Sequence, residues 1–155
     1  MTISLRPFRP EDQEFLFKLY AATRQQEISA WGWSTAQQDA FLRMQFNAQQ
    51  RSYEMTYENA EHQIVMLDAN PIGRIMVLRK PEAALLVDIA LLPEYRGRGI
   101  GGELVRELIE QCNKDKVAVR LQVLKTNPAQ RLYERLGFLR TGEDELYFQM
   151  QRPGG

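Results

Sequence analysis

The sequence is short of several things, and each shortage removes a class of function. It has a single cysteine, Cys112, so no internal disulfide can form and a reducing compartment fits best. It has no excess of one charge: 20 lysines and arginines stand against 20 aspartates and glutamates. Zero net charge gives no long-range attraction to nucleic acid or an anionic membrane, leaving only local basic patches such as Arg96 with Arg98. No apolar run reaches the roughly 18–20 residues of a membrane span. The opening "MTISLRPFRPEDQ" turns early to proline and charge, unlike a secretory signal. No repeat, low-complexity tract or linker interrupts the 155 residues. The expectation is a cytoplasmic protein with one domain over residues 1–151 and a short flexible tail over 152–155. No nucleic acid, membrane or metal is expected among its partners.

What is present is patterned. "TISLR" (2–6) alternates like a strand, and "PFRPEDQEFLFKLYAATRQQ" (7–26) places Phe15, Leu16, Leu19 and Tyr20 at helical spacing. "EISAWGWS" (27–34), with Trp31 and Trp33 flanking Gly32, reads as a loop or broken turn. Ser34 or Thr35 can cap a second helix over 36–55, whose partial stripe is Phe41, Leu42, Met44 and Phe46. Beyond residue 60 the period becomes two, giving strands over 62–68 and 74–79 around a turn at 69–73. A turn at 80–83 and a buried strand over 84–92, stopped by Pro93, follow. A helix is expected over about 99–113 with Ile100, Leu104, Leu108, Ile109 and Cys112 on one stripe. Next come a strand over 117–124 and a helix over 128–136, begun by Asn127 and stopped by Gly137. A hairpin of 138–141 and 145–151 closes the chain, so the fold is an α/β layered domain with a mixed sheet.

The densest signal is "YRGRGIGGELV" (95–105), where Gly97, Gly99, Gly101 and Gly102 open a helix directly after a buried strand. The first N–H groups of a helix lack intrahelical partners, and the helix dipole adds about half a positive charge there. Glycine removes the Cβ atoms that would hold a phosphate away. Residues 96–101 can therefore wrap a phosphate or pyrophosphate, helped by Arg96 or Arg98; the alternative is a tight turn that binds nothing. A P-loop is excluded because Gly101-Gly102-Glu103 lacks the required lysine and hydroxyl. A dinucleotide fingerprint matches at Gly97, Gly99 and Gly102, but "PEYR" separates it from its strand, and "QVLKT" ends the next strand without an acid.

Within "LLPEYRGRGIGGELV", Arg96, Gly99 and Gly101 fit the pattern R/Q-x-x-G-x-G/A, and about 30 residues further along stands "NPAQRLYERLGF" (127–138). Together with the opening "ISLRPFRPEDQEFL", these segments resemble the GCN5-related N-acetyltransferases over nearly the whole chain. That resemblance implies a mostly antiparallel, splayed central sheet of about six to seven strands flanked by about four helices. It implies acetyl-CoA as co-substrate, with the pyrophosphate on the N–H groups of Arg96, Gly97, Arg98, Gly99, Ile100 and Gly101. The pantetheine arm would lie beside the strand ending at Leu91 and Leu92, and the N–H near Leu91 would polarise the thioester carbonyl. Asn127 would touch the cofactor arm as well as cap its helix.

The same resemblance makes Tyr133 the general acid for the departing thiolate; a phenol titrating near pH 10 is protonated at neutrality. The packing alternative makes it a core aromatic, with Leu132 and Leu136 as the buried stripe and Tyr133 at its edge. Some protein N-terminal acetyltransferases carry L-E-V on the strand before the asparagine, whereas this chain has "LQV" with Gln122. Asp88, acting directly or through water, is the leading candidate base, ahead of His62, Glu54 and Glu58. Glu27, Trp31 and Trp33 would line the acceptor end as a carboxylate and an aromatic wall, unless the tryptophans are core residues. The expected activity is transfer of acetyl to a primary amine of a small molecule or protein, by a monomer or homodimer. The alternative is a non-catalytic acyl-CoA-binding module on the same fold.

Overall fold

A computed structural model describes residues 2–155. Its elements are β1 (Ile3–Pro7), α1 (Gln13–Ser29), α2 (Thr35–Thr56), β2 (Glu61–Leu67), β3 (Asn70–Arg79) and β4 (Ala83–Leu91). After these come α3 (Ile100–Lys114), β5 (Ala118–Leu124), α4 (Ala129–Arg135), β6 (Leu139–Glu143) and β7 (Tyr147–Arg152). The strands form one seven-stranded sheet in the order β1-β2-β3-β4-β5-β7-β6. β1–β2, β5–β7 and β6–β7 pair antiparallel, while β4–β5 pair in parallel. This is the expected α/β fold with a mostly antiparallel sheet and four helices. None of the described helices is long and apolar enough to cross a membrane.

Several element boundaries differ from the sequence pattern. α1 runs on to Ser29 because Ile28 is buried to 1% exposure, about two helical turns beyond the recognised stripe. Phe17 is buried too, whereas Phe15 and Tyr20 are only half-buried. In α2 only Leu42 and Phe46 enter the core, an i,i+4 pair, and Met44 is exposed. Ser34 caps α2 as expected, its hydroxyl accepting from the Gln37 N–H while the Gln37 side chain accepts from the Ser34 N–H. The turn expected at 69–73 is the two residues Asp68 and Ala69, with Asp68 at φ 53, so "NPIG" lies inside β3. β6 likewise extends through Gly142 and Glu143, with a bulge between Arg140 and Gly142.

The chain folds as two compact units whose boundaries fall within β3, within β4 and between Arg96 and Gly97. The first holds residues up to Arg74 together with Ala90–Arg96. Leu16, Leu19, Leu42, Phe46, Ile64 and Leu92 share its core. Its first strand is tied to the start of α1 by Arg6, whose two terminal nitrogens each donate to Asp12 at 2.8 Å. Those bonds hold the Asp12 carboxyl below its usual range despite burial. His62 stacks on Phe8 at 4.7 Å with ring planes 9° apart, and its Nε2 is buried without a hydrogen-bond partner among the described residues.

The second unit holds Ile75–Ile89 and Gly97–Gly155. Every residue of the expected α3 stripe is buried. Val119, Leu121 and Val123 alternate inward along β5, each at 4% exposure or less. Arg152 is a β7 residue, its Nε donating to Leu136 O at 2.8 Å and its Nη1 to Asn113 Oδ1 at 3.2 Å. The Gly155 N–H donates to the same Asn113 oxygen at 3.2 Å.

Burial and the charge of Arg74 hold His62 down at about 4, against 6.5 for a free imidazole. Between those values the unfolded chain takes up a proton that the folded chain refuses, so stability falls as pH drops from about 6.5 to about 4. His62→Phe keeps the stack and cannot titrate. Urea unfolding midpoints of the variant should decline less than those of the parent across that window, and equal declines would contradict this assignment.

Candidate active site

The start of α3 is stripped of everything that normally closes a helix. Gly99 is its N-cap at φ 81 and offers no side chain to accept from the first N–H groups, those of Ile100, Gly101 and Gly102. Gly97 is also left-handed, at φ 74, so both positions require glycine for the backbone alone. Gly101 differs: its φ is not left-handed, and a Cβ there would meet nothing within 4 Å. The same open space surrounds Gly97 and Gly99. Gly102 instead packs, with an added Cβ lying 3.4 Å from Leu132 Cδ1. Three glycines therefore border open space with uncapped donors and the positive end of the α3 dipole, and one serves helix packing.

Arg96 departs from the sequence expectation. Its main-chain N–H donates to Pro93 O at 3.2 Å within the turn Pro93–Tyr95, so that amide is already engaged. Its Nε donates to Leu91 O at 3.0 Å. Leu91 and Leu92 are buried at 9% and 7% exposure, and the Leu92 N–H donates to Ile72 O at 2.8 Å. Gly73 is a site residue that the sequence pattern did not single out. A Cβ on Gly73 would lie 2.3 Å from Ala90 O and 2.7 Å from Leu91 Cδ2, so β3 must be bare where the Ala90 carbonyl approaches. The available signal was an isolated glycine close to β-branched residues, hidden by the turn-like composition of "NPIG".

In the second unit, β4 and β5 pair only over Ala83–Leu86 and Ala118–Leu121. Val87, Asp88 and Ile89 on one strand and Gln122, Val123 and Leu124 on the other lie beyond that register, which is the splay the resemblance implies. Tyr133 of α4 is buried at 7% exposure, with its ring edge-on to Phe138 at 5.7 Å. The expected stripe is thus inverted: Tyr133 faces inward, and Leu132 and Leu136 are only half-buried. Burial and the negative charge of Asp88 push the phenol up to about 12. Asp88 itself is half-buried. Asn127 Oδ1 accepts from the Ala129 N–H at 2.9 Å, which satisfies a free donor at the start of α4 as the sequence suggested.

The remaining candidates are placed as follows. Glu27 is exposed on α1 and pairs with Arg24 at 3.7 Å. Trp31 and Trp33 are 49% and 38% exposed, so they are not core residues, and both lie edge-on to Phe41 at 5.6 and 5.3 Å. Arg98, Glu54 and Glu58 are exposed. His62 is half-buried, and its depressed basicity keeps it neutral at pH 7. Gln122 is exposed on β5 and cannot accept a proton at neutral pH. Cys112 is buried at 1% exposure and its thiol is pushed up by burial, which suits a packing role.

Residues 14–138 match the model of the Acetyltransferase (GNAT) family. The chain belongs to that family. The GNAT match begins within α1 and ends just past α4, so it includes the bare helix start, the splay and Tyr133. One relative is a Bacillus subtilis (strain 168) protein provisionally named a ribosomal protein bS18-alanine N-acetyltransferase. It is 32% identical over 101 residues, 62% of this chain and 66% of that protein. A ribosomal protein bS18-alanine N-acetyltransferase of Haemophilus influenzae is 41% identical over 58 residues, 37% of this chain and 40% of that protein. The chain thus spans just under two thirds of one curated relative and less than half of the other. Among solved GNAT structures, the PaiA N-acetyltransferase of Thermoplasma acidophilum in complex with coenzyme A shares the fold. Its TM-score is 0.72 at 22% identity, with 99% of each chain covered.

Burial and the charge of Asp88, with no hydrogen bond to another described residue, raise the Tyr133 phenol, so loss of the hydroxyl breaks no tie of that kind. Tyr133→Phe should therefore leave the thermal midpoint within about 2 °C of the parent, as expected when no buried bond is lost. A larger drop in a calorimetric scan would show that the hydroxyl is a structural tie.

Proposed function

We propose that the chain transfers the acetyl group of acetyl-CoA directly to a primary amine. The observation that carries this is the α3 start, where uncapped N–H groups, a helix dipole and three glycines border open space. The N–H groups of the Gly97–Gly102 segment would hold the diphosphate, which needs close main-chain approach from several donors at once. The thioester end would lie along β4 beyond Leu86, where β5 no longer pairs with it. Alternation along the strand turns the Leu91 N–H away from the side on which Leu92 bonds Ile72, leaving Leu91 as the donor to the thioester carbonyl. Asn127 would flank the arm while its oxygen caps α4.

The chemistry then divides between two side chains of the second unit. Tyr133 is protonated at any physiological pH and would give its proton to the departing sulfur. Asp88, close enough for its charge to act on Tyr133, would take the proton of the attacking amine directly or through a water. Gln122 cannot do so, which separates this chain from acetyltransferases with L-E-V on that strand. Asp88 and Tyr133 would therefore serve successive proton transfers, one accepting and one donating. Both curated relatives are named for a protein α-amine, which supports a polypeptide N-terminus as one acceptor class. The exposed Trp31, Trp33 and Glu27 would contribute to acceptor recognition.

Thiol release from acetyl-CoA against an amine panel tests this, with a peptide bearing N-terminal alanine, a polyamine and free amino acids as members. Tyr133→Phe should lower kcat by about a hundredfold, the scale of losing a general acid. Gly99→Val should weaken coenzyme A binding, since its side chain would enter the diphosphate's space and strain a left-handed residue. Cofactor binding without transfer to any amine, and with no effect of Tyr133→Phe, would favour the non-catalytic acyl-CoA module instead.

A further inference from the structure

Arg96 follows directly on the turn that ends β4 and precedes the glycines, a position that suggests a cation for the phosphates. Two of its donors are engaged elsewhere. The main-chain N–H is held by Pro93 O and the side-chain Nε by Leu91 O, both carbonyls of its own unit. Residues 90–92 are thereby fixed at three points. Ile72 O takes the Leu92 N–H, the bare Cα of Gly73 admits the Ala90 carbonyl, and the Arg96 guanidinium holds the Leu91 carbonyl. Leu92 is a core residue, Ala90 and Tyr95 pack against the same core, and the Leu91 side chain is buried as well, so packing places the side chains of this segment. The peptide groups themselves are set by the three polar and steric constraints.

We propose that Arg96 is a positioning residue whose guanidinium orients the Leu91 peptide through its carbonyl rather than gripping the cofactor's phosphates, with Gly73 as its counterpart on β3. This deepens the reading given under Proposed function and rests on it, since the Leu91 N–H is the donor assigned there to the thioester carbonyl. The Leu91 N–H lies in the planar Ala90–Leu91 peptide, whose carbonyl approaches Gly73, and the Leu91 carbonyl held by Arg96 lies in the next peptide, so the two contacts fix the peptides on both sides of the Leu91 Cα and thereby limit its φ and ψ and the aim of its N–H. A donor aimed at developing charge loses much of its effect through a small misalignment, whereas the diphosphate, held by several separate N–H groups, does not depend on that tilt. Removing the tether therefore lowers turnover and leaves cofactor affinity in place. A phosphate clamp would do the reverse.

Lysine separates the two roles. It keeps the positive charge and serves phosphates well, but it puts a methylene where the arginine Nε donates. The experiment compares the parent with Arg96→Ala, Arg96→Lys and Gly73→Ala, each first shown folded by its thermal midpoint. Calorimetry gives the Kd of coenzyme A, and initial rates at saturating acetyl-CoA give kcat. The expected result is a Kd within about twofold of the parent in both Arg96 variants, with kcat reduced about tenfold in all three, Arg96→Lys being no better than Arg96→Ala. Weakened coenzyme A binding in Arg96→Ala that Arg96→Lys restores would overturn the proposal in favour of a clamp, as would an unchanged kcat. Amide hydrogen exchange of the ligand-free chain supplies a readout that needs no activity: exchange at residues 90–92 should quicken in Arg96→Lys, and unchanged protection would also overturn the proposal. A parent chain that neither binds coenzyme A nor acetylates any amine would remove the acetyl-transfer reading, while the exchange result still decides whether Arg96 tethers the strand end.

Discussion

Everything proposed for this chain depends on a helix that begins without a cap. A helix start normally satisfies its free N–H groups with a serine, threonine, aspartate or asparagine, as α2 does with Ser34. α3 begins instead on Gly99 in a left-handed conformation, with no side chain to accept those bonds. Leaving donors open sacrifices stability of order 1 kcal/mol relative to a good cap. The loss is tolerated because the helix is secured along its length, with Leu104, Leu108 and Cys112 buried on one stripe. A helix so anchored can present a bare end to an anion.

Burial sets the protonation state of the phenol in the second unit. Tyr133 sits on a helix of seven residues, too short to be stable by itself, and its ring is held against Phe138. The same burial that fixes the ring raises the phenol far above neutrality, with Asp88 adding to the effect. Position and protonation state thus share one cause. Parallel pairing between β4 and β5 ends just before Asp88 comes up in the strand, so the carboxylate whose charge acts on the Tyr133 phenol stands where β5 no longer pairs with β4.

Legibility in the sequence followed the strength of the physical constraint. The α3 stripe and the β5 alternation were plain because long elements repeat their period several times. The glycines were plain because left-handed backbone and close approach demand one residue type. α4 was misjudged in detail: seven residues give barely two turns, so the choice of inward face fell on the leucines when the structure buries the tyrosine. Gly73 is hidden in the sequence because the nearby asparagine and proline look like a turn, while the actual turn uses Asp68 at positive φ. The sequence does not choose between core and surface for Trp31 and Trp33, because that depends on where α1 stops, and α1 stops only after Ile28 is buried. Arg96 shows a further limit. Its motif position was legible, but the direction of its donors depends on a carbonyl five residues back, which no sequence pattern records.

The central claim is that open main-chain amides at the start of α3 hold a diphosphate. Amide hydrogen exchange measured with coenzyme A and, separately, with pantetheine tests it most directly, because pantetheine keeps the thiol arm and lacks the diphosphate. The account predicts that coenzyme A slows exchange across residues 97–102 and that pantetheine does not. Binding of coenzyme A with no slowing at those residues would contradict it.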